Sequence, residues 1–171
     1  MKIVFMGTPD FAVATLKAIH KSSHNIVGVV TATDKPAGRG KKLNSSAVKK
    51  YAITNNLELL QPSNLKDDDL RKDLMNLNAD IFIVVAFRML PKLIWDIPPK
   101  GTINLHASLL PQYRGAAPIN WAIINGESHS GVTTFLIDEK IDTGAILLQK
   151  KVEIHDGDSA GMLYDKLIDK G

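Results

Sequence analysis

Runs of apolar residues alternate with amphipathic stretches along most of the chain. The apolar runs predict strands at residues 2–6, 25–31, 58–60, 80–87, 102–107, 131–137 and 145–154. Helical spacing of apolar positions predicts helices at residues 10–21, 46–55, 65–77, 117–125 and 159–170. Strands and helices therefore alternate over most of the sequence.

This alternation predicts an α/β fold. A strand followed by a helix and a second strand favours right-handed crossovers and parallel pairing. The segment DIFIVVAF at residues 80–87 is apolar nearly throughout, which is typical of a central parallel strand covered on both faces. We therefore expect a Rossmann-like, open, mostly parallel sheet with helices on both faces. Ligands of such sheets bind outside the carboxyl ends of the strands.

Composition restricts the class of protein without giving a function. With 171 residues, 44% of them hydrophobic and 23% charged, the chain suits one globular domain over residues 1–171. It has no cysteine, which excludes disulfides, zinc–thiolate sites and thiol nucleophiles. The N-terminal apolar run is too short for a signal peptide, and no run approaches the roughly 20 residues of a membrane span. We expect a soluble, cytoplasmic protein.

Positive charge is concentrated in one segment, although the net charge is only +3. Residues 35–50 contain no acidic residue and six basic ones: Lys35, Arg39, Lys41, Lys42, Lys49 and Lys50. Two glycines flank Arg39, so one interpretation is a loop that becomes ordered on a phosphate backbone. A solvated, lysine-rich turn is the other interpretation.

The segment GTPDF at residues 7–11 follows the first predicted strand, where nucleotide-binding turns occur. It lacks the GxGxxG pattern, and Pro9 has no backbone N–H to offer a phosphate. A tight strand-to-helix turn is the favoured interpretation, and no nucleotide cofactor is predicted.

The strongest candidate for chemistry is INLHASLLPQYRGAAPINW, residues 103–121. Asn104 and His106 lie two apart on a predicted strand and so share a face. Asp142 follows another apolar strand, with Gly144 expected to permit a sharp turn. Asn, His and Asp can orient an amine, stabilise an oxyanion and move a proton, although a satisfied structural histidine remains the alternative. Without a Ser or Cys at an elbow, the set favours direct attack by the substrate.

Three blocks in this order carry a resemblance: NLHASLLP at residues 104–111, RGAAP at 114–118 and DTG at 142–144. Together they resemble the formyltransferases that use 10-formyltetrahydrofolate. The segments GTPDF and DKPAGRGKKL (residues 34–43) resemble the methionyl-tRNA formyltransferases in particular. Glycinamide ribonucleotide formyltransferases carry a glycine-rich phosphate loop that is missing here, and sugar-amine formyltransferases lack the basic insertion. The resemblance covers the whole chain, and we expect that the family's linker and C-terminal β-barrel domain are absent from it.

The resemblance implies transfer of a formyl group from 10-formyltetrahydrofolate to the α-amino group of initiator methionyl-tRNA. The implied catalytic residues, around the formyl carbon, are Asn104, His106 and Asp142. The implied folate-binding residues are Phe87, Arg88, Met89, Leu90, Ser108, Leu109, Leu110, Pro111 and Asp138. The implied tRNA-binding residues are Arg39, Lys41 and Lys42. No metal is required, and a monomer without membrane association is expected.

One segment departs from the family pattern. The run AFRMLP at residues 86–91 is one residue shorter than is common, and Arg88 stands where glycine is frequent. Arg88 either points to solvent or holds the folate tail carboxylates or an RNA phosphate. Two other functions also stay open: formyl transfer to a small amine such as an amino-sugar nucleotide, and a non-catalytic folate- or RNA-binding fragment.

Overall fold

A computed structural model describes residues 1–37 and 42–171 of the protein. These residues divide into an N-terminal unit, Met1–Thr102, and a C-terminal unit, Ile103–Gly171. Two of the predicted tRNA-binding residues, Arg39 and Lys41, lie outside the described residues, as does the side chain of Lys42. No helix in the described part of the chain is long and apolar enough to cross a membrane.

The N-terminal unit is built on parallel strands. In chain order its elements are β1 (Lys2–Gly7), α1 (Asp10–His20), β2 (Asn25–Val30), β3 (Lys35–Ala37), β4 (Lys42–Asn44), α2 (Ala47–Thr54), β5 (Leu59–Leu60), α3 (Asp68–Asn76), β6 (Ile81–Val85) and α4 (Lys92–Trp95). Four strands lie in the order β5-β2-β1-β6, and each pair is parallel. β3 and β4 form a separate antiparallel pair that the sequence did not predict.

The turn after β1 is set by close packing of α1. A Cβ atom on Gly7 would lie 2.6 Å from Cβ of Ala12 and 2.9 Å from the carbonyl oxygen of Val85. Only glycine lets the first turn of the helix come this near to the strands. Pro9 is the N-cap of α1, so GTPDF is the tight strand-to-helix turn that its sequence favours.

Helix α3 begins later than its apolar pattern predicts. The Asp67 side chain accepts a hydrogen bond from the backbone N–H of Asp69, which fixes the helix start at 68 rather than 65. Leu70 and Leu74 are buried at helical spacing, and Leu77, the C-cap residue, is half-buried. The four-residue helix α4 was not predicted, because so short a helix shows no periodicity.

The C-terminal unit is antiparallel. Its elements are β7 (Thr102–His106, of which Thr102 is the last residue of the N-terminal unit), α5 (Pro118–Ile124), β8 (His129–Leu136), β9 (Ile146–Glu153) and α6 (Ala160–Ile168). β8 pairs antiparallel with both β7 and β9. The parallel pairing that the sequence predicts therefore holds within the N-terminal unit, whereas β7, β8 and β9 pair antiparallel within the C-terminal unit.

Helix α6 closes the apolar core of this unit. Ser159 caps the helix, since its Oγ accepts a hydrogen bond from the N–H of Met162. Leu163 and Leu167 on α6 are fully buried, and α6 contacts α5. Strand β9, in contrast, pairs with β8 alone among the described strands and exposes three consecutive apolar residues: Ile146, Leu147 and Leu148.

Candidate active site

His106 lies at the end of β7 and is 8% exposed. It pairs with Thr133 across the β7–β8 ladder, and Asn104 pairs with Phe135 two positions earlier. Asn104 and His106 therefore share one face of β7, as the sequence predicts. The half-buried amide of Asn104 makes no side-chain hydrogen bond within residues 1–37 and 42–171, so it is free to bind a ligand.

The carboxylate of Asp142 lies beside His106. Its Oδ2 is 3.6 Å from Nδ1 of His106 and accepts a 2.7 Å hydrogen bond from the backbone N–H of Gly115. Nε of Arg114 donates to the backbone carbonyl of Asp142 at 2.9 Å. All three blocks of the sequence resemblance thus meet at this carboxylate.

The loop that carries Asp142 folds back along the sheet. Because β8 runs antiparallel to β7, its last residue, Leu136, pairs with Ile103, three residues before His106. The end of β8 therefore lies beside the start of β7 and not beside His106. Asp142 reaches His106 because residues 137–145 return toward it.

Gly144 is required for a reason different from the one predicted. It does not adopt a positive φ; the left-handed residue of the loop is Asp142, with φ of 52°. A Cβ atom on Gly144 would instead collide with the backbone carbonyl oxygen of Leu136. Glycine is needed here for close backbone approach.

The loop after His106 is held by the buried hydroxyl of Thr133. This Oγ1 donates to the carbonyl of Ser108 at 2.6 Å and accepts from the N–H of Leu110 at 3.1 Å. Gln149 on β9 donates to the same hydroxyl at 3.0 Å and to the carbonyl of Leu110 at 2.8 Å. Sequence reasoning missed Thr133 and Gln149. For Thr133 the signal was the pair of threonines at 133 and 134 in the apolar run of β8.

The remaining predicted residues of this unit are less buried. Leu109 is half-buried, and Pro111 is exposed after a cis peptide bond. Asp138 is exposed, and its carboxylate accepts hydrogen bonds from the N–H of Lys140 and the hydroxyl of Thr143. The carboxylate of Asp138 is thus engaged by its own loop.

His106 has a third neighbour, which the sequence did not predict. Its Nε2 lies 2.8 Å from the backbone carbonyl oxygen of Tyr113. The phenol of Tyr113 donates to the carboxylate of Glu127 and accepts from the amide of Asn125. The hydrogen bond to Glu127 raises the pKa of Tyr113. The sequence could not predict this contact, because every residue type has a backbone carbonyl.

The other predicted folate-binding residues, 87–90, lie in the N-terminal unit. Arg88 is exposed but not free: its guanidinium donates to the carbonyls of Pro62 and Ser63 at 2.8 and 3.1 Å. It also lies 5.3 Å from the ring centre of Phe87. Arg88 is therefore exposed to solvent and at the same time bonded to the protein's own backbone, and its role toward folate or RNA stays a prediction. Met89 is 73% exposed and Leu90 is buried.

One basic residue of the segment at residues 35–50 forms an ion pair within the protein. Nζ of Lys49 lies 2.6 Å from Oδ2 of Asp34, and the amide of Gln61 donates to Oδ1 of the same carboxylate. These hydrogen bonds, chiefly the one from Lys49, lower the pKa of Asp34. Lys49 therefore serves an ion pair at the base of the segment. Within the described residues, no group of three or more His, Cys, Asp or Glu could hold a metal ion.

Fold and site together define a class of protein. Residues 1–171 match the Formyl transferase family, and the chain belongs to that family. It is 61% identical over 171 residues to the methionyl-tRNA formyltransferase of Flavobacterium johnsoniae and 63% identical over 169 residues to that of Flavobacterium psychrophilum. These alignments cover 100% and 98% of this chain but 54% of each relative, so the chain spans about half the length of the curated relatives it matches.

Solved structures agree with this assignment of the fold. The phosphoribosylglycinamide formyltransferase of Bacillus halodurans superposes with a TM-score of 0.81 over 98% of this chain and 87% of its own, at 18% identity. The sugar 3N-formyltransferase WlaRD, crystallised with dTDP and 5-N-formyl-THF, gives a TM-score of 0.71 at 26% identity, over 99% of this chain and 58% of its own. The Rossmann-like fold class that the sequence predicts is confirmed.

Proposed function

We propose that this chain transfers a formyl group from 10-formyltetrahydrofolate to the α-amino group of methionyl-tRNA. The observation that carries the proposal is the meeting of His106 with Asp142, next to the unbonded amide of Asn104, in a member of the Formyl transferase family. The names of the relatives at 61% and 63% identity support the acceptor.

In the proposed reaction, the amine attacks the formyl carbon and negative charge develops on the formyl oxygen. The amide of Asn104 and a proton on Nδ1 of His106 are the donors for this oxyanion. One such donor contributes roughly 3–4 kcal/mol to the transition state. Holding the amine against the formyl group contributes more, on the order of 7–11 kcal/mol.

The proton transfers of the reaction require a carboxylate at the position of Asp142. A C–N bond to the acceptor forms and the C–N bond to the donor breaks, so one proton leaves the attacking amine and one reaches the departing nitrogen. Asp142 accepts the first proton, because its Oδ2 lies at the edge of the His106 ring. The N–H of Gly115 fixes that oxygen in place. The catalytic set is therefore proposed to work as a shuttle without net proton uptake.

The folate would be held mainly by backbone groups. Residues 108–111 are fixed through the hydroxyl of Thr133, so their remaining N–H and C=O groups have a defined direction. The segment 87–90, which Arg88 ties to the loop after β5, is proposed for the pterin ring, and Asp138 for an outer contact.

The tRNA is proposed to bind the basic segment through Arg39, Lys41 and Lys42. The N-terminal unit has 15 Lys and Arg against nine Asp and Glu, whereas the C-terminal unit has six against nine. Phosphate contacts make binding strongly salt-dependent. Arg39→Ala should weaken use of tRNA and flatten its salt dependence while donor binding is unchanged. Lys170→Ala, which removes the same charge elsewhere, is the matched control; equal effects of both variants would refute the assignment.

We further propose that residues 1–171 act as one catalytic domain in the cytoplasm and as a monomer. Light scattering at increasing protein concentration tests the monomer, and a mass that doubles would overturn it.

The test of the reaction is transfer of labelled formyl from 10-formyltetrahydrofolate to methionyl-tRNA at low salt. His106→Ala and Asn104→Ala should each reduce the rate by about 10²–10³-fold. Donor binding is measured in parallel by calorimetry. Transfer to an amino-sugar nucleotide but not to methionyl-tRNA would refute the acceptor, and donor binding with transfer to neither would refute catalysis by this chain.

A further inference from the structure

The imidazole of His106 is contacted at both nitrogens. Nε2 lies 2.8 Å from the carbonyl oxygen of Tyr113, while Nδ1 lies 3.6 Å from Oδ2 of Asp142. A carbonyl oxygen can only accept a hydrogen bond, so Nε2 carries a proton whether the ring is neutral or charged. Nδ1 is consequently the nitrogen whose protonation can change.

The carbonyl of Tyr113 is held in place by an uncommon backbone conformation. Tyr113 has φ of 56°, in the left-handed region that non-glycine residues rarely adopt. Such a conformation persists only when the surroundings determine it. Here the surroundings are hydrogen bonds to the phenol, which donates to Glu127 and accepts from Nδ2 of Asn125 at 3.0 Å.

The anchor of the phenol is the end of helix α5. Asn125 is the C-cap residue of α5, and Glu127 follows two positions later. The backbone N–H groups of Gly126 and Glu127 are themselves bonded to α5, at the carbonyls of Ile123 and Ala122. The position of the Tyr113 carbonyl is thus tied to a helix rather than to the loop alone.

We propose that Tyr113, anchored by Glu127 and Asn125, is a positioning residue for His106. Its carbonyl fixes the ring orientation and the proton on Nε2, so that Nδ1 is presented to Asp142 and to the reacting formyl oxygen. The second half of this statement rests on the proposed function. The first half concerns only the ring and is tested without any reaction.

The spectroscopic test uses the chain with ¹⁵N-labelled histidine. Two-bond ¹H–¹⁵N spectra report which ring nitrogen of His106 carries the proton. The wild type should show the Nε2–H form when the ring is neutral. Tyr113→Phe and Glu127→Leu, which remove the anchor from either side, should move His106 toward a mixture of the two forms. Tyr51→Phe, which removes an exposed phenol bonded to His20, should leave His106 unchanged.

The kinetic test separates positioning from a general loss of structure. Tyr113→Phe and Glu127→Leu should each lower kcat by about 3–10-fold, with the donor KM within about twofold of wild type. Glu127→Gln keeps an acceptor for the phenol and should restore most of the rate. The double variant Tyr113→Phe/Glu127→Leu should be no slower than the worse single variant, because Glu127 acts on His106 only through the phenol that Tyr113→Phe removes.

Several results would overturn the proposal. These are a wild-type ring with the proton on Nδ1, an unchanged His106 spectrum in both anchor variants, or additive losses in the double variant. Absence of formyl transfer by the wild type would instead contradict the proposed function, and the spectra would still decide the role of Tyr113.

Discussion

The hydroxyl of Thr133 offers the sharpest test of how the loop after His106 is held. Thr133→Val keeps the size and β-branched shape of the side chain but removes an oxygen that makes three hydrogen bonds. Thr133, Ser108 and Leu110 are all buried, at 0%, 1% and 5% exposure. Water cannot replace the lost partner without opening the loop.

The expected magnitude follows from the groups left behind. Valine would leave the N–H of Leu110 and the carbonyl of Ser108 without their partner, and each unsatisfied buried group costs about 1–3 kcal/mol. We expect a loss of about 2–4 kcal/mol in the free energy of unfolding, a large part of the roughly 5–15 kcal/mol typical of a domain. At about 2–4 °C per kcal/mol for a chain of this size, Tm should fall by roughly 5–15 °C.

Urea unfolding followed by circular dichroism measures this loss, and Thr134→Val is the matched control. Thr134 lies next to Thr133 on β8 and makes no side-chain hydrogen bond within the described residues, so the same chemical change should shift stability by less than about 0.5 kcal/mol. Donor affinity should fall in Thr133→Val alone. Equal midpoints for the two variants would refute the reasoning.

Two further predictions concern stability. Gly144→Ala forces a methyl group against the backbone carbonyl of Leu136 and should cost about 1–3 kcal/mol or more, together with most of the activity. Gly161→Ala in α6 places its methyl group 3.7 Å from Oγ of Ser159, an ordinary contact, and should stabilise by about 0.5–1 kcal/mol in the same urea titration. The hydrogen bond from Lys166 holds the pKa of Asp158 below its ordinary value of 3.8. Since the unfolded chain then binds the proton more tightly, this contribution is complete above pH 3.8 and is lost as the pH falls through the lowered pKa. Asp158→Asn should therefore be less stable than wild type near about pH 6, and the difference should shrink toward about pH 2; a constant difference would contradict the assignment.

Elements with a strong pattern were predictable from the sequence. The apolar run of β6 and the polar pair on β7 each indicate a strand, because the surroundings of each strand determine which residue types it can carry. The direction of strand pairing was not predictable, because an apolar run has the same pattern in a parallel pair and in an antiparallel pair. The antiparallel course of β8 and β9, and with it the folding back of the loop that carries Asp142, had no signal in the sequence.

The site divides in the same way. The sequence could single out Asn104, His106 and Asp142 as candidates, because the chemistry of each side chain depends on residue type, and the structure brings His106 and Asp142 together. The carbonyl of Tyr113 and the carbonyls bound by Arg88 were not, since every residue offers a carbonyl and only the backbone path decides which one is used. A positive φ at a residue other than glycine could not be predicted either, because it also depends on the backbone path.

The exposed strand β9 has a practical consequence for work with this chain. No other strand in the described part of the chain pairs with its outer edge, which presents N–H and C=O groups beside Ile146, Leu147 and Leu148, the last 74% exposed. Such an edge is a template on which another chain can add a strand. Lys150 and Lys151 follow after Gln149 and repel an identical neighbour. Concentrated or high-salt samples, in which this repulsion is screened, are where the chain is most prone to precipitate, and a lysine introduced at Leu148 is the first change to make for handling it.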